Sequence, residues 1–209
     1  MKYLVGCALA ASIALAGSPA AQAAQTCTST PNLYTPGWQV GWAAYQVAQI
    51  TPPIGDATRV DDLPITINAP IAHVWSAYSN LNNALGRHPF LQALYPHCRC
   101  TDGVTTTLDF TAIENITFVP GVTDPAQTEG EQILHPDQYY YTSDTYDLPG
   151  VITHQKITFV DNGDGTTSVN EHLTFIASIA LIDFTETNGV SSHKTLQAAL
   201  KRDIENGTI

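Results

Sequence analysis

The chain has 209 residues, and its 8 Lys and Arg stand against 19 Asp and Glu, a formal net charge of −11 at pH 7. Cations this few and this scattered cannot neutralise a run of phosphates, so we expect neither nucleic acid nor an anionic lipid surface as a partner. The length suits one domain with a substantial core. After the first residues, no stretch approaches the roughly 20 apolar residues that cross a bilayer, so no stable membrane insertion is expected.

Residues 1–23 have the pattern of a secretory signal peptide. Lys2 supplies the positive start, 3–17 (YLVGCALAASIALAG) is an apolar core, and 21–23 (AQA) is a small-x-small cleavage site. Cys7 mimics a lipoprotein box but precedes the apolar core instead of following it, so lipidation is disfavoured. The sequence therefore predicts a secreted or periplasmic protein that starts at Ala24.

The cysteines that remain after cleavage are Cys27, Cys98 and Cys100. Export favours a disulfide, in which Cys27 ties the N-terminal segment to either Cys98 or Cys100. The alternative is a zinc or copper site built from HCRC (97–100) with His88 upstream. It lacks a second Cys/His pair at metal spacing. We therefore predict a disulfide, no metal and no cofactor.

Residues 24–61 are predicted to form an N-terminal extension rich in Thr, Pro and Gly. Within it, GWQVGWAAYQVAQI places Trp38, Trp42 and Tyr45 at helical spacing, which predicts a short amphipathic helix. The favoured interpretation is that these aromatics pack on the domain. The alternative is a lid over the mouth of a cavity.

Residues 62–209 are predicted to form an α+β domain. DLPITIN alternates like a strand, and Pro70 then occupies a first helical turn, where its missing N–H costs nothing. Further strands are predicted at about 104–118, 129–135, 138–147, 151–160 and 167–179, and SSHKTLQAALKRDIENG (191–207) predicts a terminal helix. A curved antiparallel sheet cannot bury its concave face alone, so this helix is expected to cross it and leave a cavity beneath.

This order of elements resembles the START/Bet v 1-like (SRPBCC) superfamily, and within it the polyketide cyclase/dehydrase and lipid-transport branch. The resemblance is carried by ITINAPIAHVWSAYSNLNN (65–83), EGEQIL (129–134), YYYTSDTYDLPG (139–150) and LQAALKRDIENG (196–207). It implies a helix-grip fold, in which a curved antiparallel β-sheet wraps around a C-terminal α-helix and encloses a hydrophobic cavity. The terminal helix predicted here is short for this fold, and residues 24–61 have no counterpart in the family.

The fold alone does not determine function, so the strand faces supply the candidate site. Glu114, Gln155 and Glu171 each interrupt an otherwise apolar face, and desolvating a carboxylate either raises its pKa or requires a partner. Glu114 and Glu171 are therefore the candidate catalytic groups, although a pairing with Lys, Arg or His would explain Glu114 and a wet sheet edge near the hairpin would explain Glu171. The predicted ligand-binding residues are Trp75, Phe110, Tyr140, Gln155, Phe159, Phe175, Leu196 and Leu200.

The histidines divide by position. His154 and His172 fall on the opposite faces of their strands and are expected in solvent. His88 and His97 lie in the segment between the first helix and the sheet, where loops often bound a pocket mouth.

Three functional hypotheses follow. The first is a secreted protein that binds a small hydrophobic molecule in its cavity. The second is an enzyme that resembles a polyketide cyclase or dehydratase and uses a cavity carboxylate. The third is a protein-interaction module with a collapsed cavity, in which the aromatic N-terminal helix binds another protein. The sequence contains neither a G-x-S-x-G nucleophile elbow nor a Gly-rich phosphate loop.

Overall fold

A computed structural model describes residues 25–51, 53–119, 122–148 and 150–209 of the chain, so the predicted signal peptide lies outside the described residues. The helices are α1 (Thr35–Ile50), α2 (Ile71–Tyr78) and α3 (Ile182–Glu205). The strands are β1 (Thr26–Ser29), β2 (Asp56–Ile67), β3 (Leu91–Thr101), β4 (Thr106–Val119), β5 (Val122–His135), β6 (Tyr140–Asp147), β7 (Val151–Asp161) and β8 (Thr167–Ser178). Short 3₁₀ turns occupy Leu81–Ala84 and Pro136–Gln138.

The strands form one antiparallel sheet in the order β1-β3-β4-β5-β6-β7-β8-β2. Strands β3 to β8 run as a meander, and β2 closes the far edge by pairing with β8 along its whole length, from Asp56 opposite Ser178 to Ile67 opposite Thr167. Helix α3 packs against β2 and β8 and crosses the concave face. The predicted fold class is confirmed: this is an α+β helix-grip fold. None of the helices in the described ranges is both long and apolar enough to cross a membrane.

Strand β3 was not predicted, because its sequence does not alternate. Its pairing with β4 slips between Leu91 and Ala93 and again between Pro96 and Cys98. A bulge inserts one residue into a strand and reverses the faces of those that follow, which removes the period of two from the sequence. His97 lies in the second slip. It is 3% exposed, and its Nε2 lies 2.7 Å from Thr111 Oγ1, so it belongs to the core and not to a pocket mouth.

Helix α3 begins nine residues earlier than predicted, at Ile182, so the expectation of a short terminal helix is wrong. The sequence of its first turns is IDFTETNGV, in which Thr and Gly have a low helix propensity, so the helix is not evident from the sequence. Ile182 is 1% exposed and joins the core cluster of Leu63, Leu173 and Phe175, and this packing outweighs the weak local propensity. A Cβ added at Gly189 would lie 2.6 Å from Phe175 Cε1, so glycine is what lets the ring approach the helix.

Helix α1 packs on the convex face of the sheet, with Trp38, Trp42 and Tyr45 buried against Tyr146 and Ile152. The indole N–H of Trp38 donates to the carbonyl of Gly130 at 3.1 Å, and the Tyr45 hydroxyl donates to Asp144 Oδ2 at 2.6 Å. The convex face lies opposite the cavity. The packing interpretation of these aromatics is therefore correct, and the lid interpretation is wrong.

A disulfide joins Cys27 to Cys100, and the two residues are also directly opposite each other in the β1–β3 pairing. The predicted disulfide is confirmed, and the structure selects Cys100 as the partner of Cys27. The three sulfur atoms of Cys27, Cys98 and Cys100 lie within 4.8 Å of one another. Because the Cys27 and Cys100 sulfurs are bonded to each other, they are not thiolate ligands for a metal.

Candidate functional site

A cavity of about 270 Å³ lies between the concave face of the sheet and α3. Its walls come from strands β3 to β8, and the end of α2, the 81–84 turn and α3 close it. Most of the lining is apolar, with Leu91, Phe110, Ala112, Phe175 and Leu200 among the buried contributors. A concave, mainly apolar space with a few polar groups is the usual form of a small-molecule site.

Seven of the residues predicted for the site line this cavity, namely Phe110, Glu114, Gln155, Glu171, Phe175, Leu196 and Leu200. Trp75 and Phe159 do not line it; their rings meet edge to face, with centroids 5.5 Å apart, in the core beneath α2. Tyr140 also lies elsewhere, because its ring stacks on His135 at 4.1 Å with Lys156 Nζ 4.9 Å from its centroid. The next residue, Tyr141, lines the cavity in its place.

Glu171 on β8 is paired with His193 on α3, and the carboxylate is buried whereas the imidazole is half-buried. Glu171 Oε1 lies 2.5 Å from His193 Nδ1 and also accepts a hydrogen bond from Gln155 Nε2. Glu171 Oε2 accepts a hydrogen bond from Gln197 Nε2 at 2.8 Å. Glu171 is only 1% exposed, so protein donors occupy both of its oxygens.

Each member of this pair stabilises the charge of the other. Burial by itself would raise the pKa of Glu171, but the charge of His193 and three side-chain hydrogen bonds outweigh burial and lower that pKa. Burial would likewise lower the pKa of His193, but the Glu171 carboxylate raises it, with a smaller contribution from Glu114. Folding therefore favours the ion-paired form of the two residues. A carboxylate so fully occupied is a poor proton acceptor, and this geometry favours Glu171 as a group that positions His193.

His88 lies next to His193, with ring centroids 5.8 Å apart and planes at 79°. Its Nδ1 is buried and has no hydrogen-bond partner among the described residues, since Glu114 Oε1 is 3.7 Å away. Burial, assisted by the charge of His193 and opposed by that of Glu171, lowers the pKa of His88 to about 4. His88 is therefore neutral at pH 7, whereas the raised pKa of the neighbouring His193 favours its charged form.

Two carboxylates, Glu114 and Asp147, meet at the Thr128 hydroxyl near the far end of the cavity. Thr128 Oγ1 lies 3.2 Å from Glu114 Oε2 and also contacts Asp147 Oδ1. One hydroxyl has a single hydrogen and can donate to only one of them. Burial raises the pKa of Glu114. Burial, together with the charges of Glu114 and Glu129, raises the pKa of Asp147 to about 7, so this pair retains protons near neutral pH.

Two more polar atoms in the lining have no partner. Tyr78 Oη and Gln132 Oε1 are buried and make no hydrogen bond to any described residue. The two residues are only 5% and 1% exposed. Native proteins satisfy the large majority of buried polar atoms. With His88, three residues of the cavity lining each hold a buried polar atom that has no hydrogen-bond partner among the described residues.

His193 and Asp147 were missed in the sequence. His193 precedes Leu196 by three residues and Leu200 by seven, so it falls on the apolar stripe of α3, and that spacing is the signal that would have found it. Asp147 had no comparable signal, because it ends a strand beside a loop. His154 and His172 lie away from the cavity as predicted, paired with Asp144 at 2.9 Å and Asp62 at 3.1 Å.

No protein-family model matches the sequence, and no curated protein does. Solved structures share the fold. A Thermus thermophilus protein has a TM-score of 0.54 at 14% identity, over 72% of this chain and 100% of that chain. For the Zhui aromatase/cyclase of a Streptomyces species the TM-score is 0.51 at 12% identity, over 71% of this chain and 96% of that chain. For norcoclaurine synthase of Thalictrum flavum it is 0.51 at 17% identity, over 75% and 100%.

These similarities show that the chain has the helix-grip fold, as the sequence predicted. At such low identities they establish the architecture and assign no ligand, since one fold hosts many functions. The function must be argued from the cavity and its polar groups.

Proposed function

We propose that the protein binds a small, largely apolar molecule that carries at least one hydroxyl or carbonyl group, in the cavity beneath α3. The observation that carries this proposal is an otherwise apolar cavity in whose lining Tyr78, His88 and Gln132 each hold a buried polar atom without a hydrogen-bond partner. A polar group of the ligand would satisfy these atoms once the side chains turn toward it, while the apolar walls would bury the rest of the molecule.

The charge of the lining narrows the class of ligand. Among the described residues no Lys or Arg lines the cavity, whereas Glu114, Asp147 and Glu171 do. An anion buried there would lack a permanently charged cationic partner and would face these carboxylates. An anionic ligand, such as a fatty acid or a phosphate ester, is therefore disfavoured.

Export completes the proposal. Residues 1–23 would act as a signal peptide, 24–61 as an extension whose helix α1 packs on the convex face, and 62–209 as the ligand-binding domain, secreted or periplasmic. The Cys27–Cys100 disulfide supports this location, because disulfides persist in oxidising compartments.

Filling the cavity is expected to abolish binding. Ala84 lines the cavity from the 81–84 turn and is half-buried, so Ala84→Trp would occupy the space that the ligand needs. We expect the wild-type protein to bind the uncharged apolar fluorophore N-phenyl-1-naphthylamine. The Ala84→Trp substitution should weaken this binding about tenfold or more. Fluorescence titration measures the affinity.

The matched control is Ala198→Trp, which adds the same ring at an exposed position of α3. It should bind the fluorophore like the wild type. Equal affinity in all three proteins would place the fluorophore outside the cavity and contradict the proposal.

A second candidate is an enzyme that resembles a polyketide cyclase or dehydratase and uses a cavity carboxylate. The specific observation is Glu114, which lines the cavity and whose pKa is raised by burial. A buried acid that keeps its proton is suited to donate it to a ligand oxygen. Of the two carboxylates predicted from the sequence, Glu114 has the freer oxygens, since Glu171 is bonded on both sides.

For this enzyme, Glu114→Gln is expected to lower turnover of a verified substrate by about 100-fold while affinity changes by a few-fold, because only proton transfer is lost. Steady-state kinetics separates the two effects. Full activity in the variant would remove Glu114 from the mechanism, and Glu186→Gln at the surface of α3 serves as the control.

The third hypothesis is not supported. It requires a collapsed cavity and an exposed aromatic helix face, but the cavity is open, and Trp38, Trp42 and Tyr45 are 6%, 5% and 7% exposed.

A further inference from the structure

Helix α1 is apolar on its outward side as well as on the side that packs against the sheet. Five exposed residues follow one another along the helix at alternating intervals of four and three, namely Pro36, Val40, Ala43, Val47 and Ile50. This spacing keeps side chains on one side of a helix. At about 3.6 residues per turn, Ala43 lies almost opposite the buried Tyr45, so the five residues point away from the sheet. These five residues form the outer stripe.

The exposed apolar side chains of the protein are concentrated around this stripe. Ten large apolar side chains are exposed in the part of the chain that the structure describes, and five of them lie within residues 33–54: Leu33, Val40, Val47, Ile50 and Ile54. The other five are scattered between residues 60 and 179. A helix that is apolar on all sides is normally covered on all sides, and a concentrated apolar patch marks an interaction surface. A partner is therefore expected to cover the outer stripe.

The absence of charge restricts the chemistry of that partner. Residues 24–55 contain no Asp, Glu, Lys, Arg or His, whereas all 19 acidic residues of the chain lie at Asp56 or beyond. A charged surface placed against this segment would lose its hydration without gaining an ion pair. Two copies of this acidic chain repel each other over most of their surface, but not at the outer stripe. The complement of this uncharged apolar face is a second uncharged apolar face, and another copy of the chain supplies one.

The order of side-chain sizes also suits a copy of the same helix. Alternating intervals of four and three form the seam between two packed helices. The small Ala43 lies at the middle of the stripe, with Val40 and Val47 on either side. A small residue at this position lets two backbones approach at a twofold axis, where a residue meets its own copy. Exposed Gln39 and Gln46 border the stripe and provide an uncharged polar rim.

We propose that the outer stripe of α1 is the interface of a homodimer, in which the α1 helices of two copies pack on each other about a twofold axis. The aromatic side of the helix is not involved, because Trp38, Trp42 and Tyr45 stay buried against the sheet. The cavity lies on the other side of the sheet, so each copy keeps its own cavity. The inference does not depend on the proposed binding function.

Sedimentation equilibrium of residues 24–209 measures the association. Because one pair of helices forms the interface, we expect a weak dimer with a Kd of about 1–100 µM. Ala43→Glu and Ala43→Lys each place two like charges together at the twofold axis, so each should raise this Kd about 100-fold or more. The matched control is Ala198→Glu, the same substitution at an exposed alanine of α3, and it should dimerise like the wild type.

Mixing the two Ala43 variants gives a readout that a merely weakened helix would not produce. Opposite charges then meet at the axis, so the equimolar mixture should form a heterodimer with a Kd within about tenfold of the wild-type value. Rescue of this kind requires that Ala43 meets its own copy. Both variants should bind N-phenyl-1-naphthylamine like the wild type, which verifies that they are folded.

The remaining outcomes overturn the dimer or leave it standing. It is overturned if the wild type stays monomeric up to about 500 µM, or if the single Ala43 variants dimerise as well as the wild type. Monomeric variants whose mixture does not associate would assign the stripe to a different partner. A wild type that stays monomeric and binds phosphatidylcholine vesicles would assign it to a lipid surface, which also contradicts the proposal. If the fluorophore binds to none of the proteins, the proposed binding function fails while the dimer stands.

Discussion

Replacement of Glu171 by alanine is expected to lower the free energy of unfolding by about 3–5 kcal/mol. The side chain is 1% exposed and accepts from His193, Gln155 and Gln197. Without the carboxylate these donors stay buried without their acceptor, and His193 must lose its proton in the folded state. Urea unfolding followed by tryptophan fluorescence measures the change.

The matched control is Glu186→Ala on the same helix. Glu186 is 32% exposed in its side chain and contacts Arg59 at 3.3 Å, and a surface pair of this kind contributes at most about 1 kcal/mol. If Glu171→Ala is as mild as this control, the polar network does not hold α3 on the sheet. A second expected effect is a fall in the pKa of His193, visible by NMR even if the protein relaxes around the cavity.

Stability is expected to fall as the pH is raised from about 4.5 to 7. Burial is the main cause that raises the pKa of Asp147 and of Glu131 to about 7 and that of Asp109 to about 6. In this range the folded protein retains protons that the unfolded chain has released, so each increment of pH favours unfolding. His193 acts in the same direction above pH 6.5, because its pKa is raised on folding and its contribution is lost as that pKa is passed.

Below pH 6.5 one group opposes the carboxyls. The pKa of His88 falls from 6.5 to about 4 on folding, so its contribution to stability grows as the pH rises through that interval. The effect of the three carboxyl groups on the pH dependence exceeds that of His88 alone. Stability should therefore be highest at mildly acidic pH. Thermal unfolding at intervals of pH locates this maximum.

Asp147→Asn is the variant that tests the assignment. The amide has nearly the same shape but carries no charge, so the variant should be more stable than the wild type at pH 8, by about 2–4 kcal/mol, and should gain nothing at pH 4. An unchanged pH dependence in the variant would show that Asp147 does not hold a proton near neutrality.

The sequence by itself determined the fold class and seven of the residues that line the cavity. Alternation in β4, β7 and β8 assigned Phe110, Glu114, Gln155, Glu171 and Phe175 to inward faces, and each of them lines the cavity. The assignment succeeded because successive side chains in a regular strand point to opposite faces. Once one residue is known to face inward, the faces of the other residues in the strand follow. In α3, the spacing of four residues between Leu196 and Leu200 places both on one helix face, and both line the cavity.

Alternation failed where the backbone departs from a regular strand. The two slips in β3 concealed a whole strand. Tyr139, with a positive φ of 48°, ends a 3₁₀ turn just before β6. The residue types alone do not show which of the tyrosines after this turn faces the cavity. Tyr140 was therefore predicted inside the cavity, where Tyr141 lies.

Only the tertiary structure decided the chemistry of the site. Glu171 on β8, His193 on α3 and His88 in the segment before β3 are brought together by the way α3 crosses the sheet. Their protonation depends on burial and on charges a few ångströms away, and neither quantity is a property of local sequence. The sequence specified which side chains face inward, and the crossing of α3 decided which of them became a neutral histidine, a charged histidine and a fully bonded carboxylate.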